Sequence, residues 1–316
     1  MEHFFYVLGG LILLVAGGEF LVKASVSLSL KLRLSRIVIG MTVVSFATSL
    51  PELLVSLTAG LKGHPDIALS NVVGSNIANI ALVLGLTALL MPIYVKKFTY
   101  RYNWPAMILI SALLIVFLYT GRTLTSLEGF LLFLFLVVFV VFIIRKSYKT
   151  GDVLEDDFDE VLLNTHPAKV MIWLAIGGLA LWGGSELLVN GSVGIARMLR
   201  VSERIIGVSL IALGTSVPEL AASLISAYRK EKDLSLGNLL GSNIFNIGSV
   251  LGITAMIKPV SGFEDKLLDT DVIWMFIISF IIVPLALIRP KHIINWWKAA
   301  LFVVLYLVFI YLSFFG

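Results

Sequence analysis

Thr48-Ser49-Leu50-Pro51-Glu52-Leu53 recurs as Thr215-Ser216-Val217-Pro218-Glu219-Leu220, each copy inside a long apolar run. Outward from these segments the match extends without a gap over residues 10–92 and 177–259, at an offset of 167. About 35 of the 83 aligned pairs are identical. Glu19 aligns with Glu186, Arg33 with Arg200, Gly40 with Gly207, Asp66 with Asp233 and Asn71 with Asn238. Gly74-Ser75-Asn76-Ile77 aligns with Gly241-Ser242-Asn243-Ile244, and Asn79-Ile80 with Asn246-Ile247. Chance apolar similarity would not bring so many polar residues into register, so the chain contains an internal duplication.

The composition says where this duplication resides. Of 316 residues, 59% are apolar and 14% charged, against about 45–50% and 25% in a soluble domain. The mean hydropathy is +0.99. The apolar residues run along nearly the whole chain, which excludes a soluble enzyme on a single anchor. The runs are long and continuous, which excludes a β-barrel built from alternating segments of about ten residues. There is no cysteine, so disulfides, thiolate metal sites and cysteine nucleophiles are excluded. His3, His64, His166 and His292 fall near span ends or in loops, which disfavours a haem or zinc centre. No cofactor is expected. No nucleophile–base or metalloprotease motif is visible, so an enzyme is not expected either. The N-terminus turns apolar at once, without a basic region before it, and reads as having no removable signal peptide.

A helix needs about 20 apolar residues to cross the hydrocarbon core. Ten such spans are expected, at 4–30, 37–61, 67–93, 104–121, 125–145, 168–196, 204–228, 234–257, 272–289 and 295–314. The connection 146–167 carries Asp152, Glu155, Asp156, Asp157, Asp159 and Glu160. It reads as a solvated acidic linker dividing the chain into repeats at 1–145 and 168–316. Five spans is an odd number, so the second repeat must enter the membrane from the opposite face. The expected fold is an all-α membrane protein, with ten transmembrane helices as two inverted five-helix repeats and a site built from both. Connections after odd-numbered spans carry about 16 basic residues and the others about 7, which puts the odd side in the cytoplasm and both termini outside. Arg197, Arg200 and Arg204 run against this rule.

Glu52 and Glu219 each lie near the middle of a span, where a charge costs roughly 2.5–3.5 kcal/mol on insertion scales. No basic residue within either span offsets them. Pro51 and Pro218 lack an N–H, so carbonyls near Ser45 and Ala212 are expected to be freed. Backbone freed at membrane depth must line a cavity or meet another partner. Thr48 and Ser49 lie four and three residues before Glu52 and share its helical face, as Thr215 and Ser216 do for Glu219. In the next span of each repeat, Ser75 and Asn79, and Ser242 and Asn246, are again four apart. Every candidate donor is an oxygen, the set preferred by hard cations such as calcium and sodium. Asn76 and Asn243 fall off the Ser75–Asn79 face and read as supporting or packing residues. Ser25, Ser56, Ser223, Asn71 and Asn238 read as hydrogen bonds across helix interfaces. Gly40, Gly74 and Gly85 read as close-packing positions. Glu19 and Glu186 read as structural or gating residues, with Lys23 placed to pair with Glu19.

The segments Ala47–Glu52 with Ser70–Asn79, and Gly214–Glu219 with Gly237–Asn246, resemble the two α-repeats of the calcium/cation antiporter superfamily. Within it the chain resembles prokaryotic sodium/calcium exchangers over essentially its whole length. The resemblance implies three sodium ions exchanged for one calcium in a prokaryotic cell membrane. It implies Glu52 and Glu219 as shared ligands, and Asn79 and Asn246 completing a diamond. It implies further oxygens from Thr48, Ser49, Thr215, Ser216, Ser75 and Ser242 and from the carbonyls near Ser45 and Ala212. Potassium-dependent relatives carry aspartate at the place of Asn246, so asparagine implies potassium independence. Ser70, where the other copy has Gly237, is a departure without a sequence explanation. The partners expected are calcium, sodium and the bilayer, with neither nucleic acid nor an obligatory protein partner. A proton/calcium antiporter is the alternative, and a cation channel a more distant one.

Overall fold

The computed structural model describes residues 2–150, 160–199 and 214–315. From the N-terminus the chain forms α1 (Glu2–Leu32), α2 (Arg36–Ile39), a π-helical turn (Gly40–Val44) and α3 (Ser45–Thr48). Then come α4 (Leu50–Leu61), α5 (Pro65–Ile77), a π-helical stretch (Ala78–Leu84) and α6 (Gly85–Leu90). A π-helical turn (Thr99–Asn103), α7 (Trp104–Gly121), α8 (Ser126–Thr150), α9 (Glu160–Leu163) and α10 (Pro167–Met198) follow. The remainder is α11 (Val217–Tyr228), α12 (Lys232–Phe245), a π-helical stretch (Asn246–Leu251) and α13 (Gly252–Ile257), then a last π-helical turn (Leu267–Val272), α14 (Ile273–Leu287) and α15 (Trp296–Phe315).

Among the described residues, eight helices are long and apolar enough to cross a membrane. The broken pair Arg36–Thr48 and Leu50–Leu61 would make nine. The expected seventh span begins outside the described residues, as do Arg200, Arg204, Gly207 and Ala212. Most of the acidic run, from Asp152 to Asp159, also lies outside them. The expectation of an all-α chain needs one correction. Among the described residues, four two-residue strands form two antiparallel ribbons: β1 (Ile93–Tyr94) with β4 (Ile293–Ile294), and β2 (Thr123–Leu124) with β3 (Val260–Ser261). They sit in the loops, where unpaired backbone would otherwise need partners.

The chain divides into two compact units. The first comprises Met1–Thr48 and Ile144–Asn238, the second Ser49–Ile143 and Leu239–Gly316. Each unit draws on both sequence repeats.

In the first unit α1 and α10 pack antiparallel along a stripe of glycines. A Cβ on Gly17 would lie 2.8 Å from the Leu181 amide nitrogen, and one on Gly184 2.9 Å from that of Leu14. Small residues let two membrane helices approach to backbone contact, where dispersion and not hydrophobicity holds them. The outer faces stay apolar and exposed, as at Leu11, Ile12, Val15, Ile176 and Leu179, which suits lipid.

Loop contacts sort by side. In the first unit Arg36 and Glu231 form an ion pair at 2.7 Å, joining the connections after the first and seventh spans. The Ser35 amide donates to Ser147 Oγ at 3.0 Å, and Lys31 Nζ donates to the Leu163 carbonyl at 2.7 Å, joining those after the first and fifth. In the second unit β1–β4 joins the connections after the third and ninth spans. The β2–β3 ribbon and the Arg122–Asp265 ion pair join those after the fourth and eighth. Odd-numbered connections meet odd, and even meet even. Lys298 is fully buried. Its ammonium donates to the carbonyls of Ile288, Pro290 and Ile293 at 2.7–2.8 Å, tying the start of α15 to the preceding loop.

Candidate cation site

In the second unit the third and eighth spans share an unusual local structure. Each is α-helical, turns π-helical at Ala78 or Asn246, and is α-helical again from Gly85 or Gly252. A π-turn inserts a residue into the α ladder and re-aims the side chains around it, which is why such turns gather at functional sites. In the apolar 18-residue stretch within 67–90 and within 232–257, 78% of residues are buried, against 22–44% in those of the other six spanning helices. Asn79 and Asn246 lie at the start of the two π stretches, both fully buried.

Four asparagines hold one another across these spans. Asn76 Nδ2 donates to the Asn243 carbonyl at 3.2 Å, and Asn243 Nδ2 donates to the Asn76 carbonyl at 3.2 Å. Asn79 Nδ2 donates to Asn243 Oδ1 at 3.2 Å, and Asn246 Nδ2 donates to Asn76 Oδ1 at 3.1 Å. The pattern repeats under exchange of the two halves. Asn79 Oδ1 and Asn246 Oδ1 are left buried without a hydrogen-bond donor among the described residues. An unmet buried acceptor costs about 1–3 kcal/mol, so two at equivalent places call for an explanation. A cation as ligand supplies one. Ser75, Ser242 and Glu52 are buried in the same unit. Ser49, also of this unit, lies between α3 and α4 with φ −84° and ψ 4°, and Pro51 follows in the first turn of α4, where a missing N–H costs no bond. The proline thus marks a break in the helix.

In the first unit, the π-turn Gly40–Val44 immediately precedes Ser45. A Cβ on Gly40 would fall 2.5 Å from the Leu234 carbonyl oxygen, and Gly237 is pressed against the backbone of Ile37. These glycines bring the second span against the start of the eighth. Ser70, the counterpart of Gly237, is exposed, so the departure between the copies follows from the room available. Ser45 Oγ donates to the carbonyls of Gly40 and Asn238, both at 2.9 Å. Thr48 Oγ1 lies 3.2 Å from Asn238 Oδ1, and Asn238 Nδ2 donates to Ser223 Oγ at 3.1 Å. Asn71 bonds Ser56 in the second unit at the same distance, 3.1 Å. Asn238, Ser223, Asn71 and Ser56 are therefore interhelical ties, and Asn238 also holds a candidate ligand. Glu219 is fully buried in the first turn of α11. Ser216 Oγ is buried with no partner among the described residues. Thr215 immediately precedes it.

One assignment changes. Glu19 does not pair with Lys23, which is exposed. Arg229 takes both of its carboxylate oxygens, at 2.8 and 2.6 Å. Of the two readings of Asn76 and Asn243, supporting and packing, the hydrogen bonds to Asn79 and Asn246 select the first. Helical-wheel spacing left that choice open because it assumes an unbroken α-helix, and the π stretches begin two residues after Asn76 and three after Asn243. Their available signal was conspicuous polarity: each is an amide repeated in register inside an apolar run.

The sodium/calcium exchanger protein family model matches residues 2–145 and 169–315, two segments that correspond to the two repeats. A putative antiporter of Alkalimonas amylolytica, CaxA, is 42% identical over 260 residues, 80% of each chain. The sodium/calcium exchanger MaX1 of Methanosarcina acetivorans is 30% identical over 99% of each. A solved structure of the sodium-calcium exchanger NCX_Mj, soaked with zero Na+ and Ca2+, superposes with a TM-score of 0.83 at 30% identity, covering 97% of each chain. A membrane protein with a duplicated, oxygen-lined polar motif and relatives matched nearly end to end, this chain belongs to the sodium/calcium exchanger family.

Proposed function

We propose that this protein is a secondary active antiporter that exchanges sodium for calcium by alternating access. The observation that carries the reading is the pair of buried Asn79 and Asn246 carbonyl oxygens, left without donors among the described residues on two matched π-turns in spanning helices. Two wholly buried glutamates, each with no lysine or arginine among the nine residues on either side, supply the charge. The ligands assigned are Glu52, Glu219, Asn79 and Asn246, with oxygens from Thr48, Ser49, Thr215, Ser216, Ser75 and Ser242 and from the Ser45 and Ala212 backbone. All are hard donors suited to both cations. The topology we assign is ten helices in two inverted repeats, with both termini outside. The antiparallel α1–α10 pair and the meeting of odd with odd and even with even connections support it. Exchange of three sodium ions for one calcium would make the cycle electrogenic.

Calcium uptake by vesicles of the purified protein, with and without an outward sodium gradient, tests the reading. Uptake is expected only with the sodium gradient. Uptake driven equally by a proton gradient without sodium would replace it with proton/calcium exchange.

A further inference from the structure

The four-asparagine arrangement determines which end of each amide faces the ion. A backbone carbonyl can only accept a hydrogen bond. Asn76 and Asn243 each reach the other's carbonyl, at 3.2 Å, so each must present Nδ2 there. That choice turns Asn76 Oδ1 toward Asn246 and Asn243 Oδ1 toward Asn79, at 3.1 and 3.2 Å. Those oxygens accept only if Asn246 and Asn79 present their Nδ2 groups. The amides of Asn79 and Asn246 are thereby left with their oxygens buried and without a donor among the described residues. The two backbone carbonyls set the orientation of all four side chains.

We propose that Asn76 and Asn243 are positioning residues that aim the amide oxygens of Asn246 and Asn79, respectively, at the transported cation. The action is crossed: each asparagine orients the ligand supplied by the other repeat. Without the clamp, an amide rotates freely between presenting its oxygen and presenting an NH2 group, and the NH2 group repels a cation. This proposal rests on the antiporter reading above.

The crossing makes the test specific. Calcium binding is measured by titration calorimetry on purified protein, alongside sodium-dependent calcium uptake. Asn76→Ala is expected to weaken calcium binding by about tenfold. The Asn76→Ala/Asn246→Ala double variant is expected to bind no more weakly than Asn246→Ala, because the clamp then has nothing to hold. Asn76→Ala with Asn79→Ala is expected to multiply the two losses. Asn246→Asp is expected to restore binding in the Asn76→Ala background, since a carboxylate presents oxygen whichever way it turns. Asn243→Ala with Asn79 repeats the cycle in mirror image and serves if Asn76→Ala does not fold. A tie that merely joins helices would show the same loss with Asn246 or Asp at 246, and no crossed coupling. That result overturns the proposal, as does failure of both clamp variants to fold. Wild-type protein without sodium-dependent uptake would instead overturn the antiporter reading, and intact wild-type exchange with unchanged binding in Asn76→Ala would overturn the clamp alone.

Discussion

Glu52 and Glu219 are fully buried acids in apolar helices, and their burial is a cost the fold accepts for the sake of charge. Glu52→Gln or Glu219→Gln keeps the shape and most hydrogen-bonding capacity while removing half of the formal charge of the proposed ligand set. It also relieves an insertion penalty of roughly 2.5–3.5 kcal/mol. Either variant should therefore remain monodisperse by size-exclusion chromatography and lose calcium transport, as read by uptake into vesicles. Wild-type uptake by either would remove the carboxylates from the mechanism. In the proposed ligand set Asn246 would bear on selectivity. As a neutral amide held by Asn76, it would add an oxygen without a third negative charge, and exchange is expected to proceed in potassium-free buffer at an undiminished rate. An absolute potassium requirement would contradict the neutral-ligand argument.

At the scale of elements, two devices shape the molecule, the small-residue seam and the π-turn. Along the α1–α10 seam, Gly184 would place a Cβ 2.9 Å from the Leu14 amide nitrogen, whereas one on its neighbour Gly183 meets nothing within 4 Å. Gly184→Val must separate two backbones, and overpacking of this kind costs about 1–3 kcal/mol. Its melting temperature in detergent should fall measurably, while that of Gly183→Ala should match the wild type. Equal melting behaviour would mean that the seam does not stabilise the pair. We expect α1 and α10, tied along this seam, to move together in the transport cycle as the long helices that lack the proline break. The Glu19–Arg229 pair is exposed to screening and contributes little stability.

For the whole molecule the charge of the proposed ligand set governs coupling. Two ionised carboxylates carry −2, and amides and hydroxyls add nothing. One calcium neutralises them, as two sodium ions would; a third sodium leaves +1. Three-for-one exchange then moves one net charge per cycle, worth about 2.3 kcal/mol per 100 mV. Competition for the same carboxylates would prevent both cations from occupying the set fully. The reversal potential of reconstituted protein at fixed sodium and calcium gradients is expected to fit three to one. Voltage-independent exchange, or a ratio of two to one, would show the charge argument to be wrong.

The sequence by itself determined the membrane setting, the duplication and the identity of the polar residues inside apolar helices. Each follows from composition or from residues repeated in register, and none needs coordinates. It also located the break at Pro51, because a missing N–H acts within one turn of its own chain. Only the tertiary structure decided what the polar residues do for one another. The π-turns at Ala78 and Asn246 shift side chains off the faces that α-helical spacing assigns, so the roles of Asn76 and Asn243 could not be read from a helical wheel. Arg229 reaches Glu19 across 210 residues, and Lys298 leaves the surface for three carbonyls. The orientation of an amide depends on partners from another helix, and no local pattern in the chain encodes which of its two ends faces the ion.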